Sequence, residues 1–280
     1  QLSILVAPLM ENKEDIELVF SIDSQIPASV YGDSLRLRQV LLNLISNAVK
    51  FTHAGEVVLE VKLNIENRVE FLVKDTGVGI PSDKLNLIFE GFAQAESSTS
   101  RRYGGTGLGL AISKKLVDLM GGELNVQSVL GSGSVFCFSL NMKIEAPELK
   151  KPNSYLFRVL VVDDNRTVRD SLKDMGEFLG WQVDLAQDMS DLFFFFLKIY
   201  QAILIDFGLA KFGGLNTAKR FFDSKENLPP LIWMTNQHLE VGLLERTDSL
   251  ICHHIMKPIT SKMLLHVVAD ANKMTERTVN

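Results

Sequence analysis

Three clusters of residues in the first half of the chain have the types and spacing of chemistry more than of packing. The run Gly104-Gly105-Thr106-Gly107-Leu108-Gly109-Leu110 stands directly before an apolar-periodic stretch, Ala111–Met120. Glycines at this density let backbone N–H groups approach anionic oxygens with no Cβ in the way. At the start of a helix those amides add the positive end of the helix dipole to the same anion site. Upstream lies Asp75-Thr76-Gly77-Val78-Gly79-Ile80-Pro81, and further upstream stand Asn43, Asn47 and Lys50. The last three fall at i, i+4 and i+7, so they share one polar face of a helix. A glycine-rich loop alone is a weak signal. Three such clusters in this order point to a nucleotide pocket.

The elements that must position these groups follow from periodicity. Ile16–Ile22 alternates apolar and polar residues, as a half-buried strand does. Asp33 or Ser34 can cap the next helix, whose apolar stripe is Leu37, Val40, Leu41, Leu44, Ile45, Ala48 and Val49. Glu56–Leu63 and Arg68–Lys74 form a hairpin of alternating strands, which Asp75–Pro81 breaks. Ser82–Glu90 predicts a short helix, Gly91–Tyr103 a mobile polar loop, and Ala111–Met120 a helix ended by Gly121-Gly122. Glu123–Val129 and Ser134–Met142 give a second hairpin. Lys143–Tyr155, with two prolines and three lysines, predicts a linker. The predicted domains are therefore 1–143 and 157–280, joined by a linker over 144–156.

Beyond the linker, strand and helix alternate strictly. Strands are predicted at Arg158–Asp163, Gln182–Ala186, Ala202–Asp206, Leu231–Thr235 and Leu250–Met256. Helices are predicted near Thr167–Leu179, Ser190–Leu197, Leu215–Asp223, Leu239–Arg246 and Ser261–Lys273. Five such βα units imply a doubly wound parallel sheet, with ligands beyond the carboxyl ends of its strands.

Composition sets the outer limits. The chain has 280 residues, 46% hydrophobic and 22% charged, enough apolar sequence for two ordinary cores. A net charge of −5 argues against a nucleic-acid partner, which needs a basic face. The two cysteines, Cys137 and Cys252, each sit in an apolar run and predict buried thiols in a reducing compartment. Gln1–Met10 lacks the features of a signal peptide, and no window reaches the ~18–20 apolar residues of a spanning helix. The phenylalanine run within Leu192–Leu197 is interrupted by Lys198 and Gln201. The expectation is a cytoplasmic piece of a larger protein, whose parent can be membrane-attached.

Asn43–Phe51, Asp75–Pro81, Ile88–Gln94 and Gly104–Leu110, in this order, resemble the boxes of the catalytic, ATP-binding domain of sensor histidine kinases, of the Bergerat ATPase fold. The resemblance covers residues of about 8–142. It implies an α/β sandwich on a mixed sheet, with ATP and Mg²⁺ as cofactors. Asp75 would accept the adenine amino hydrogen, Gly77 and Gly79 would turn tightly under the base, and Asn47 would offer an amide oxygen to Mg²⁺. Lys50 and Arg101, or its neighbour Arg102, would face the phosphates, with Asn43, Gly105, Thr106, Gly107, Leu108 and Gly109 completing the cleft. Phe89 and Phe92 would dock the root of the loop. Gly91 stands where the family usually has proline.

Asn43 separates relatives of this fold. Cousins that hydrolyse ATP carry a glutamate one turn before the metal asparagine, as base for water, and an amide cannot take that proton. Asn43 thus favours phosphoryl transfer to a better nucleophile. None of the five histidines, His53, His238, His253, His254 and His266, stands in the helical context of the expected acceptor.

Residues of about 156–275 resemble a response-regulator receiver, a five-stranded parallel flavodoxin-like domain. The matching residues end strands: Asp163-Asp164, Asp206, Thr235 and Lys257-Pro258. Three carboxylates at one sheet edge repel one another, so a divalent cation or the lysine must offset them. The resemblance implies Asp206 as the phosphorylated residue, with Lys257 and Thr235 bonding the phosphate. Asp163, Asp164, Asp206 and the Gly208 carbonyl would hold Mg²⁺. Two departures touch signal relay: Leu209–Gly214 lacks the usual proline, and His254 occupies the aromatic switch position. Asp206-Phe207-Gly208 also spells a protein Ser/Thr kinase motif, but no His-Arg-Asp loop precedes it.

Together these readings predict a hybrid sensor histidine kinase piece acting in a two-component phosphorelay. Its partners would be a dimerisation domain bearing the acceptor histidine and a downstream histidine phosphotransfer protein. The piece itself is expected to be monomeric, its parent homodimeric. Two rivals remain: a regulatory docking module whose receiver hardly switches, and an ATP-hydrolysing clamp of the same fold.

Overall fold

The computed structural model describes residues 2–11, 13–23, 25–26, 29–90, 107–144, 157–191, 200–209, 229–236 and 253–278. The chain divides into two compact units, Gln1–Glu148 and Leu149–Asn280.

In the first unit, α1 (Leu2–Val6) and a 3-10 turn (Ala7–Met10) precede β1 (Ile16–Ile22), β2 (Val30–Tyr31) and α2 (Ser34–Phe51). Asp33, not Ser34, is the N-cap of α2; its side chain accepts the Arg36 N–H. Then come β3 (Gly55–Leu63), β4 (Val69–Asp75), α3 (Gly109–Leu119), β5 (Asn125–Val129), β6 (Gly133–Leu140) and β7 (Lys143–Ile144). The main sheet has the order β1-β3-β4-β6-β5. β1 and β3 are parallel, with α2 in the connection, and the other pairs are antiparallel. The sheet is therefore mixed, as expected.

One face of the sheet, with Leu18, Phe20, Val57, Leu59, Phe71, Val73, Phe136 and Phe138, shares a core with Val40, Leu41, Leu44, Ile45, Ala48 and Val49 of α2. The i, i+4 repeat of that stripe buries one face of α2 and leaves Asn43, Asn47 and Lys50 half-buried beside it. Burying each of its valine, leucine and isoleucine side chains contributes about 1.5–3 kcal/mol.

Three local expectations need correction. Ser82–Glu90 forms two 3-10 turns, Ser82–Lys84 and Leu87–Phe89, neither with a side-chain cap bond. A stretch this short cannot meet the cost of helix nucleation without caps or a full apolar stripe. α3 begins at Gly109, two residues earlier than its apolar pattern, because Gly109 packs against α2 and tertiary contact overrides propensity. Lys143, placed by composition at the head of the linker, pairs with Tyr31 in the small β2–β7 sheet.

The second unit contains β8 (Arg158–Val162), α4 (Arg166–Phe178), β9 (Gln182–Ala186), β10 (Ala202–Asp206), β11 (Leu231–Thr235), β12 (His253–Met256) and α5 (Ser261–Thr278). Its sheet has the order β12-β11-β10-β8-β9 and every pair is parallel. This is the flavodoxin-like order, whose switch point lies between β8 and β10. β10 and β11 are buried at all five positions, the pattern of strands covered on both faces. The helix predicted near 190–197 beyond residue 191, and those near 215–223 and 239–246, lie outside the described residues, as do the linker from 145 and Cys252.

Candidate functional site

In the first unit the predicted residues gather where α2, the end of β4 and the start of α3 meet. Asn43 bridges the two helices: its Nδ2 donates to Ser113 Oγ at 2.9 Å. A Cβ on Gly109 would stand 2.4 Å from Asn43 Oδ1, so only glycine lets α3 come this close. Asn47 is half-buried one turn further along α2, and none of the described residues hydrogen-bonds its side chain. The Lys50 ammonium lies 5.1 Å from the centroid of the Phe51 ring.

Asp75 ends β4 with its carboxylate half-buried. Burial pushes its carboxyl above the usual range, and hydrogen bonds from the Gly77 N–H and from Ser134 offset part of that rise. The Gly77 bond to Asp75 Oδ1 is 2.9 Å. The turn that follows is pinned on both sides. Val78 N–H donates to Phe51 O at 3.2 Å, and Gly131 N–H donates to Val78 O at 2.8 Å. Gly79 has φ +68°, and a Cβ there would meet Val129 O at 2.1 Å. The Ile80 N–H donates to Ser128 Oγ at 2.7 Å, and that hydroxyl donates to Gly133 O at 2.8 Å.

Ser113, Ser128 and Ser134 were not legible as site residues. Each is a small hydroxyl in an ordinary strand or helix pattern, and only the pairing of β4, β5 and β6 brings Ser134 to Asp75 and Ser128 beside Ser134. Gly107 and Leu108 lead into α3, and Leu108 caps it without a side-chain bond. Phe89 docks edge-on against Phe136, ring centroids 6.5 Å apart, as expected for the root of the loop. Arg101, Arg102, Gly105, Thr106 and Phe92 lie outside the described residues.

In the second unit, Asp163, Asp206, Thr235 and Lys257 meet at the carboxyl edge of the sheet, beside its switch point. Lys257 Nζ lies 2.9 Å from Asp163 Oδ2 and 2.7 Å from Asp206 Oδ1. All three are buried, Asp163 completely. Breaking such a buried pair typically costs about 3–5 kcal/mol, because the surviving charge stays out of water. Asp163 Oδ1 accepts the Asn165 N–H, and Asn165 rather than either aspartate is the N-cap of α4. Asp206 Oδ2 accepts the Leu209 N–H at 3.3 Å, and a Cβ on Gly208 would stand 2.6 Å from that oxygen. Thr235 Oγ1 is buried with no hydrogen-bond partner among the described residues. The Lys257-Pro258 peptide is cis.

The expected convergence of three carboxylates is not what forms. Asp164 is exposed, and among the described residues no three acidic, histidine or cysteine side chains cluster as a metal site. Lys257 stands between the two buried carboxylates and offsets their charge, the second of the two means the sequence allowed. His254 is exposed on β12.

The family model for histidine kinase-, DNA gyrase B- and HSP90-like ATPases matches residues 32–144. The autoinducer 2 sensor kinase/phosphatase LuxQ of Vibrio parahaemolyticus is 39% identical over 295 residues, covering 97% of this chain and 34% of that protein. The sensor histidine kinase GacS of Pseudomonas protegens is 39% identical over 186 residues, covering 64% of this chain and 20% of that protein. The chain thus spans about a third of the first relative and a fifth of the second. The crystal structure of full-length ShkA in complex with AMPPNP superposes with a TM-score of 0.74 at 29% identity, covering 97% of this chain and 55% of that one. Among the described residues no helix is long and apolar enough to cross a membrane.

Proposed function

The chain is of the sensor histidine kinase family, with the family's ATPase domain over residues 32–144, and from that premise we propose that it serves a phosphorelay in two steps. In the first, ATP bound between α2 and α3 gives its γ-phosphoryl group to a histidine on a separate dimerisation domain. The imidazole nitrogen forms the new N–P bond as the bond to the β–γ bridging oxygen breaks, and the electron pair leaves with ADP. In the second, the second unit acts as a receiver. A carboxylate oxygen of Asp206 attacks the phosphorus in line, the P–N bond breaks, and the freed imidazole nitrogen takes up a proton. A histidine phosphotransfer protein would then draw the group onward.

The residues present fit these groups. Asp75 offers a half-buried acceptor for the adenine amino hydrogen, held by Gly77 and Ser134. Asn47 has an amide without a described partner, Lys50 and Arg101 carry the cationic donors, and the amides of Gly105 to Gly109 would face the phosphates. In the second unit Thr235 Oγ1 is buried and has no partner among the described residues, which suits a hydroxyl awaiting a phosphoryl oxygen, and Lys257 would pair with the same group. Carboxylate and carbonyl oxygens are the donors a hard cation takes, so Asn47 in one site and Asp163, Asp206 and the Gly208 carbonyl in the other would hold Mg²⁺. When bound, that ion would offset charge on the transferring phosphoryl group. Asn43 donates to Ser113 and has no basic atom to give water, which supports transfer over hydrolysis.

The observation that carries the reading is Lys257 clasped between buried Asp163 and Asp206 at the sheet's switch point. Incubating the chain with a small phosphodonor and Mg²⁺ should yield one hydroxylamine-labile phosphate, absent from Asp206→Asn. No label on the wild-type chain would favour the docking module instead. Steady ATP turnover abolished by Asn43→Ala would favour the hydrolysing clamp.

A further inference from the structure

Lys114 stands on α3, five residues past Gly109 and so about 7.5 Å along the helix axis. Its ammonium lies over the ring of Phe89, 5.0 Å from the centroid. The same ring meets Phe136 edge-on, and Phe136 belongs to the core beneath the sheet. Phe89 is therefore gripped twice, by an aromatic edge from the core and by a cation from α3. Long side chains on helices lean toward the N-terminus, so Lys114 reaches back along the turn that opens α3.

An exposed lysine is by default a solvated charge. Lys114 departs from that default because its charge has a ring to rest on, while no carboxylate pairs with it among the described residues. The neighbouring residue adds the second half of the geometry. Ser113 accepts from Asn43 and ties one flank of α3 to α2. Lys114, about 100° further round the helix, ties the next flank to the 3-10 turn Leu87–Phe89. Added to the core packing of Leu110, Leu116 and Val117, two attachments on different flanks hold both the position and the rotation of the helix start.

Resting on the nucleotide-pocket reading above, we infer that Lys114 is a positioning residue for nucleotide binding, acting through Phe89 and not by touching the nucleotide. Its charge holds the first turn of α3, with the amides of Gly107 to Gly109, in register with Asn47 and Asp75.

The test is a double-mutant cycle on the 280-residue chain, read as AMPPNP affinity by calorimetry, with melting temperature followed in parallel. Lys114→Met keeps the aliphatic stem and removes the charge. It should weaken binding about two- to fivefold, the range of an exposed cation–π contact, with little change in melting temperature. Lys114→Arg, which also stacks on a ring, should restore wild-type affinity. Phe89→Leu keeps an apolar side chain against Phe136 and should weaken binding by itself, and adding Lys114→Met to it should cost nothing more. An undiminished loss from Lys114→Met in the Phe89→Leu background would mean the lysine acts on the phosphates directly and would overturn the inference. So would unchanged affinity in Lys114→Met alone. Failure of the wild-type chain to bind AMPPNP would overturn the pocket reading itself and is told apart by that control.

Discussion

Asp75 shows how one side chain can be poised between solvent and ligand. Its carboxyl is raised above the ordinary range chiefly by burial, against hydrogen bonds from Gly77 and Ser134 that favour the charged form. The sign follows directly. Below the unfolded-state value both folded and unfolded chains carry the proton, and the group costs nothing. As pH rises toward the folded value the unfolded chain ionises first, so the empty folded chain loses stability across that window. A nucleotide whose amino group donates to the carboxylate reverses the preference. Its affinity should therefore rise with pH through the raised value and level off above it, with a proton released on binding inside the window. Asp75→Asn should abolish that pH dependence and weaken AMPPNP binding by about ten- to a hundredfold, the worth of a hydrogen bond to a charged partner. Calorimetry in buffers of different ionisation enthalpy measures both quantities. A pH profile unchanged in the mutant would remove Asp75 from the pocket.

At the scale of elements, the site depends on two helices brought close enough that Gly109 and Asn43 touch. Gly109→Ala would drive a Cβ to 2.4 Å from Asn43 Oδ1, and Asn43 cannot swing away without giving up Ser113. Overpacking of this kind costs about 1–3 kcal/mol, so denaturation should show a loss of that size together with weaker AMPPNP binding. Adding Asn43→Ala should recover the stability but not the affinity, because the space returns while the bridge to α3 does not. That contact marks the boundary of what the sequence made legible. The apolar stripe of α2, both hairpins and the all-apolar runs of β8, β10 and β11 announced themselves through periodicity, because burial acts residue by residue along an element. The parallel pairing of β1 with β3 and the serine, Ser134, that supports Asp75 did not. They depend on which strands end up side by side, and no local pattern encodes that. Gly109 was read as freedom for a phosphate loop, whereas the structure also uses its missing Cβ for helix packing. Asp163 and Asp206 were expected to gather a third carboxylate, yet Asp164 follows Asp163 in the chain and faces solvent. Lys257, far away in sequence, is the group that reaches them.

For the whole molecule the relevant fact is that the chain divides into two compact units, each with buried hydrophobic residues of its own. Gln1–Glu148 buries the face of a mixed sheet under α2 and α3, and Leu149–Asn280 buries both faces of a parallel sheet. Each unit has the size of an ordinary domain, about 100–150 residues, and at that size a chain buries enough surface to fold alone. The residues proposed for the nucleotide site belong to the first unit, and the Asp163–Asp206–Lys257 cluster belongs to the second. Chemistry and folding are therefore partitioned in the same way. Cutting the chain between Glu148 and Leu149 should yield two fragments that each unfold cooperatively. The first should bind AMPPNP as tightly as the uncut chain, and the second should take a small-molecule phosphate at Asp206 at an unchanged rate. Given ATP without a separate histidine domain, neither fragment nor the uncut chain should become labelled, since an aspartate receiver is supplied through phosphohistidine and not from ATP. Label on Asp206 from ATP alone would contradict the two-step order. A fragment that binds or reacts only in the presence of the other would contradict the partition itself.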